Sequence, residues 1–164
     1  MIKLKNILLE VGEGSAKPYK FRTVNDKPDN TDHRRDVSFK TEDGDEYKVQ
    51  LEAYWGDGYI TDTFGSHIVI DFLLKMGKDS YDADIVVNKG RLFRVMATVV
   101  QIARQFMKDI DYKEKGIDML RIEPTKSTDD DDHRRAKLYM AYIKRQLPIA
   151  SIKYDGHEIV AKLK

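Results

Sequence analysis

The sequence contains no cysteine. That excludes disulfides, zinc–thiolate sites and cysteine nucleophiles together, and it suits a reducing compartment such as the cytoplasm. It also lacks an excess of either charge: 29 Lys and Arg stand against 28 Asp and Glu. No global field therefore draws the chain to nucleic acid or a membrane surface, and a nucleic-acid role, which would need a local patch, is not expected. Long apolar runs are missing as well. The opening MIKLKNILLE is apolar at Ile2, Leu4, Ile7, Leu8 and Leu9, but Lys3 and Lys5 interrupt it. It is too short and too charged for a signal peptide or a membrane span. No spacing of His, Asp and Glu forms a recognisable metal site. The expectation is a cytoplasmic chain with no membrane association and no metal.

What is present amounts to one domain's core, 164 residues of which 41% are hydrophobic. The strongest signal runs from Ile85 to Met107. A strand end leads through the turn Asn88, Lys89, Gly90 into a helix predicted over 91–108. Leu92, Met96, Val99, Ala103 and Phe106 recur there at spacings of three and four, flanked by Val95, Ile102 and Met107, so a wide apolar stripe faces a core. A turn that enters a helix N-terminus offers free N–H groups and the positive end of the dipole to an anion. Asn88, Lys89, Gly90 and Arg91 are therefore the candidate phosphate ligands, with Gly90 expected at positive φ or in close backbone contact. Lys89, Arg91 and Arg94 form one candidate basic patch, and Arg34 and Arg35 with Arg22 and Lys20 a second, which interleaved Asp26, Asp29, Asp32 and Asp36 oppose.

Around that helix the period changes along the chain. Residues 2–10 read as a short helix or an edge strand. Residues 17–36, polar and carrying Pro18 and Pro28, read as a long surface loop. From Val37 the period becomes two: Val37 and Phe39, a turn at Glu42, Asp43 and Gly44, then Tyr47, Val49, Leu51, Ala53 and Trp55 on one face, with Lys48, Gln50 and Glu52 on the other. Residues 66–75 (SHIVIDFLLK) read as a central strand buried on both faces, with Asp71 as its odd member. A short strand follows at 117–124, then a helix over 131–147. Ser127, Thr128 and Asp129 to Asp132 cap that helix, Ala136, Tyr139, Met140, Ile143 and Leu147 form its stripe, and Lys144 and Arg145 sit at its end. Pro148 stops it, and 149–154 with 157–163 form a hairpin turned by Asp155 and Gly156. The predicted fold class is α+β or α/β: a mixed, mainly antiparallel sheet of about five to seven strands with two packed helices. Residues 1–36 precede a single domain over 37–164.

This order of elements over residues 37–164 resembles the GNAT (Gcn5-related N-acetyltransferase) fold. In that family the central strand enters a Gln/Arg-x-x-Gly-x-Gly/Ala loop that holds the pyrophosphate of coenzyme A. The corresponding residues are Val87 to Leu92, of which Gly90 matches while Val87 and Leu92 depart. The family's Asn-x-x-Ala-x-x-Leu-Tyr segment, whose tyrosine serves as general acid towards the thiolate, is similar to Asp132 to Tyr139, with Leu138 and Tyr139 kept. The resemblance implies acyl-CoA as cofactor if the chain is active, Asn88, Lys89, Gly90 and Arg91 as its ligands, Tyr139 as acid, and Glu52 or Asp71 as carboxylates able to take a proton from an amine. The opening MIKLKNILLE is similar to starts found on tailed-phage proteins, and the segments Gly90 to Val99 and Arg135 to Tyr139 resemble phage proteins with a GNAT-like core.

Each candidate has a plainer role beside it. Tyr139 also fits a core tyrosine whose hydroxyl reaches the surface, Asp129 to Asp132 a helix cap, and His67 and His133 structural or solvated positions. The tetrapeptide Asp-His-Arg-Arg at 32–35 and 132–135 lacks matching flanks and is no repeat. Two functions follow. One is a phage-type GNAT-like domain with a degenerate coenzyme A loop and no catalysis, acting as an interaction or virion-associated module towards a phage or host protein. Trp55, Tyr54 and Tyr59 would be its contacts. The alternative is an acyl-CoA-dependent N-acyltransferase acting on an amine.

Overall fold

The computed structural model describes residues 16–56, 65–75, 78, 81–82, 92–123, 129–155 and 157–164, without the side chains of residues 74, 81–82, 92, 129–135 and 138. In chain order the elements are β1 (Phe21–Pro28), β2 (Asp32–Lys40), β3 (Glu46–Tyr54), β4 (His67–Lys75), β5 (Tyr81–Asp82), α1 (Leu92–Ile110), β6 (Met119–Ile122), α2 (Asp129–Gln146), β7 (Ile149–Tyr154) and β8 (Ile159–Leu163). The strands join in one sheet ordered β1-β2-β3-β4-β6-β8-β7, with β5 pairing β4 off that path. All pairings are antiparallel except β4 with β6. The result is a mixed, mostly antiparallel sheet with two helices, as the changes of apolar period predict.

Strict alternation builds the sheet's apolar side. In β3, Val49, Leu51 and Ala53 have no exposed surface, and they stand opposite Phe72, Ile70 and Ile68 of β4. Ile68 and Ile70 in turn stand beside Leu120 and Ile122 of β6, and Leu120 opposite Ala161 of β8. On this floor α1 lays Val95, Ile102, Ala103, Phe106, Met107 and Ile110, all buried. From α2 come Ala136 and Ile143, also buried. Both helices cover the same face because both crossovers, β4 to β6 and β6 to β7, move the same way across the sheet and right-handed connections then fall on one side. The other face carries the alternate residues, among them Lys48, Gln50, Glu52, Asp71 and Arg121, and is polar.

Two expectations change. Residues 21–28 and 32–36, expected inside a polar loop, are strand: β1 pairs with β2 from Phe21 opposite Phe39 to Pro28 opposite His33, and β2 runs through residue 37 without a break. The sequence gives no alternation there because β1 sits at the sheet edge with almost every side chain exposed. Pro28 ends the edge strand, where a missing N–H costs little. Second, past His67, which is buried, β4 is fully covered on one face only. Ile68 and Ile70 are covered, whereas Val69, Asp71 and Leu73 on the polar face are half-buried. Among the described residues the sheet's main path has seven strands, within the expected five to seven, and the two-residue β5, which had no sequence signal, pairs β4 beside it. The reading of residues 2–10 lies outside the described residues.

Candidate functional site

Strands β4 and β6 run side by side from His67 to Ile70 and from Met119 to Ile122. Then β6 stops, whereas β4 continues and gives Leu74 and Lys75 to β5, so the parallel pair parts at its carboxyl ends. In open α/β sheets the crevice outside those ends is where ligands bind. Here it is lined by Ile70, Phe72 and Ile122 from the sheet, by Val95, Met96 and Val99 from α1, and by Tyr139 and Ile143 from α2, with Glu123 at the rim. The open room is about 50 Å³, enough for a few water molecules or a short aliphatic group.

Phe72 is also the end of an aromatic row. Tyr19, Phe39, Tyr47 and Phe72 stack in succession with centroids 5.9, 5.2 and 5.1 Å apart. Burial pushes the Tyr47 phenol up to about 12, helped by Asp45, Tyr139 and Tyr19, so near neutral pH it is uncharged. At the far end the Arg94 guanidinium lies 4.0 Å from the Tyr19 ring centroid. Arg94 also pairs with Glu42 and donates to the Lys17 carbonyl at 2.9 Å. The Tyr19 hydroxyl donates to Glu42 at 2.5 Å, and its N–H to Thr98 Oγ1 at 2.8 Å. This clasp straps residues 17–19 to the first turns of α1.

The loop residues Asn88, Lys89, Gly90 and Arg91 lie outside the described residues. Tyr139 is half-buried, packs against the core and reaches the crevice. Glu52 is on the other face of the sheet: it stands opposite Val69, receives the Tyr54 hydroxyl, and lies 3.5 Å from Arg34. The structure does not bring the expected acid and base together, because period-two alternation sends residue 52 away from the face that residues 51 and 53 share. Asp71 shares the polar face with Glu52. Burial pushes its carboxyl above the usual carboxylate range, Glu123 and Glu52 add to the rise, and Arg121 opposes it. Glu123 is the residue the sequence reading missed. Its signal was its position, directly after a short strand and before Pro124, at the carboxyl end of a parallel strand.

The second basic patch does not assemble; of the first only Arg94 is described, and it is engaged by Glu42, while Lys89 and Arg91 lie outside the described residues. Arg34 and Arg35 point to opposite faces of β2. Arg34 meets Glu52 and Asp36, at 3.5 and 3.7 Å. Arg35 bonds Asp26 at 2.9 Å and Asp109 at 2.6 Å, above the Phe106 ring. Of the expected aromatic contacts, Trp55 and Tyr54 are half-buried: Trp55 Nε1 donates to the Asn30 carbonyl at 2.9 Å with the Lys115 ammonium 4.5 Å from its ring, and Tyr54 leans on His67. Tyr59 and the side chains of His133 and Asp129 to Asp132 lie outside the described residues. His67 is buried, with Nδ1 2.7 Å from the Gly65 carbonyl. Among the described residues no group of three or more His, Asp or Glu is placed to hold a metal ion, and no helix is long and apolar enough to cross a membrane. Comparisons with protein-family models, with curated proteins and with solved structures give no match.

Proposed function

We propose that the chain is a GNAT-like domain of phage type that does not catalyse acyl transfer and works as an interaction or virion-associated module towards a phage or host protein. The observation that carries the non-catalytic part is the separation of Tyr139 from Glu52 by the thickness of the sheet, with Glu52 held by Arg34 and Tyr54. The order of antiparallel strands, helix, parallel strand, helix and closing hairpin supports the GNAT-like part. Two further features support the loss of cofactor. The crevice is narrow, and Arg94 spends its charge on Glu42. In the sequence, Leu92 takes a place where close approach of pyrophosphate needs a small residue. Titration calorimetry with acetyl-CoA in low and moderate salt tests this. The expected result is no saturable heat in moderate salt, any low-salt signal being charge attraction alone. Micromolar binding that persists in salt and disappears on Gly90→Ala would overturn it.

One observation favours the alternative, an acyl-CoA-dependent N-acyltransferase. Asp71 sits where the parallel strands part, and burial, with Glu123 and Glu52, raises its carboxyl above the usual carboxylate range. In that reading Asp71 takes the proton of the amine on the polar face, but the sheet separates it from Tyr139 as it separates Glu52, so the acid for the departing thiolate would have to act from the other side. Thiol release from acetyl-CoA in the presence of a primary amine, lost in both Asp71→Asn and Tyr139→Phe, would establish it.

A further inference from the structure

At the C-terminal ends of the two helices, Arg104, Met107 and Lys108 of α1, the turn Asp111 to Lys113, and Leu147 and Pro148 enclose an open groove of about 400 Å³. That is room for a small ligand or for a few side chains of a peptide. The floor is apolar: Met107 and Leu147 are buried, and Tyr112, half-buried, packs against the core. The rim is basic. Arg104, Lys108 and Lys113, all exposed, stand around it with Asp111 as the one carboxylate. Of the neighbouring acids, Asp109 is held by Arg35, and Glu114 is not among the groove's walls.

Lysines at a helix end ordinarily answer the free carbonyls there. In this groove the carbonyls are largely answered by other groups. Asp111 closes α1 in the left-handed region, at φ 50. Its N–H donates to the Lys108 carbonyl at 3.1 Å and the Tyr112 N–H to the Met107 carbonyl at 3.2 Å, the paired bonds of a helix C-cap. At the end of α2 the Leu147 N–H donates to the Ile143 carbonyl at 2.9 Å, the Arg104 guanidinium to the Gln146 carbonyl, and the Lys164 N–H to the Pro148 carbonyl at 2.8 Å. Lys108 and Lys113 make no hydrogen bond or ion pair through their ammonium groups among the described residues. Two uncommitted cations over an apolar floor complement a segment that sets carboxylates around an apolar side chain. We infer that this groove is the chain's partner-binding surface and that it receives an acidic segment of another protein, with an apolar side chain on Met107, Tyr112 and Leu147 and carboxylates on Lys108 and Lys113. Exposed ion pairs alone add little affinity, so the apolar contact supplies most of it and the lysines select the partner and speed encounter. Nucleic acid fits less well, because phosphate binding grows with the number of cations along a strip, whereas three cations here ring a pocket. The inference rests on the reading of the chain as an interaction module and gives that module a place and a partner chemistry.

Selection of displayed random peptides, about twelve residues long, on the immobilised full chain tests this. The recovered peptides should be enriched in Asp and Glu around an apolar residue. Binding of the most enriched peptide, read by fluorescence anisotropy, should weaken at least about tenfold in the double variant Lys108→Glu with Lys113→Glu. It should persist in Lys108→Arg with Lys113→Arg, circular dichroism showing both variants folded. Amide shifts on the labelled chain should centre on Met107, Tyr112 and Leu147. A selection that yields no acidic sequence would overturn the proposal. So would binding that the glutamate variant retains, or an oligothymidylate that binds the same residues as tightly as the peptide. Acetyl-CoA titrated into the same protein keeps two failures apart: salt-resistant binding there counts against the non-catalytic reading, whereas its absence together with no acidic peptide counts against the groove alone.

Discussion

The two faces of the sheet are made from neighbouring residues of the same strands and are held by different forces. Leu51, Ile70 and Leu120 face the helices and are fully buried, or nearly so. Their successors Glu52, Asp71 and Arg121 face the other way, half-buried among charges. On the first face stability comes from apolar area removed from water, which has no preferred direction. On the second it comes from pairing, and a side chain without a partner there is a cost. The comparison bears on function because the sheet is a partition. Tyr139 and the crevice belong to the apolar side, and Glu52 and most of the titratable groups belong to the other.

The largest expected difference lies between adjacent residues of β4. Ile70→Ala should cost about 2–5 kcal/mol, the range for emptying a fully packed site. Val69→Ala, which removes two half-covered methyl groups, should cost about 1 kcal/mol. Urea midpoints measure both, and equal losses would break the contrast between the faces. Next comes Arg121, whose guanidinium donates to Glu158 at 3.0 and 3.2 Å. Arg121→Ala should cost about 1–3 kcal/mol, as for hydrogen bonds between charged groups that are partly withdrawn from water. Glu158→Gln, which keeps the shape, should cost less.

Two carboxylates give smaller effects of opposite sign. Asp26 is held below the usual carboxylate range chiefly by the Arg35 hydrogen bond, with His33 adding to it. Its stabilisation is present above the unfolded value of 3.8 and is lost as pH falls through the lower folded value. Asp26→Asn should therefore cost about 1 kcal/mol or less at pH 7, since the group is largely exposed, and nothing in strong acid. Asp71 is raised by burial. Below 3.8 it is protonated whether folded or not and carries no penalty, and the penalty develops as pH rises through the higher folded value. Asp71→Asn should raise the melting temperature slightly at pH 7 and leave it unchanged in strong acid. Parallel pH profiles of the two variants sharpen the comparison, and matching signs would contradict it.

These differences also explain what was legible in the sequence. Strand β3 announces itself because Tyr47, Val49, Leu51 and Ala53 alternate with polar residues, and α1 because its stripe keeps a helical spacing over 19 residues. Strand β1 buries almost nothing, so it forms on the edge that β2 offers without leaving an apolar period to read. Alternation also splits pairs that look joined on paper: Arg34 and Arg35 are adjacent in sequence and face opposite sides. The choice of Glu52 as base failed to reach Tyr139 for the same reason. Glu123 became visible only once β4 and β6 were known to be parallel and adjacent.

The most direct test of the central claim is an amide NMR titration of the isotopically labelled chain with acetyl-CoA in moderate salt. The account predicts no saturable shift at Val95, Met96, Val99 or Tyr139, the residues that wall the crevice. Shifts that saturate, survive added salt and converge on those four residues would contradict it.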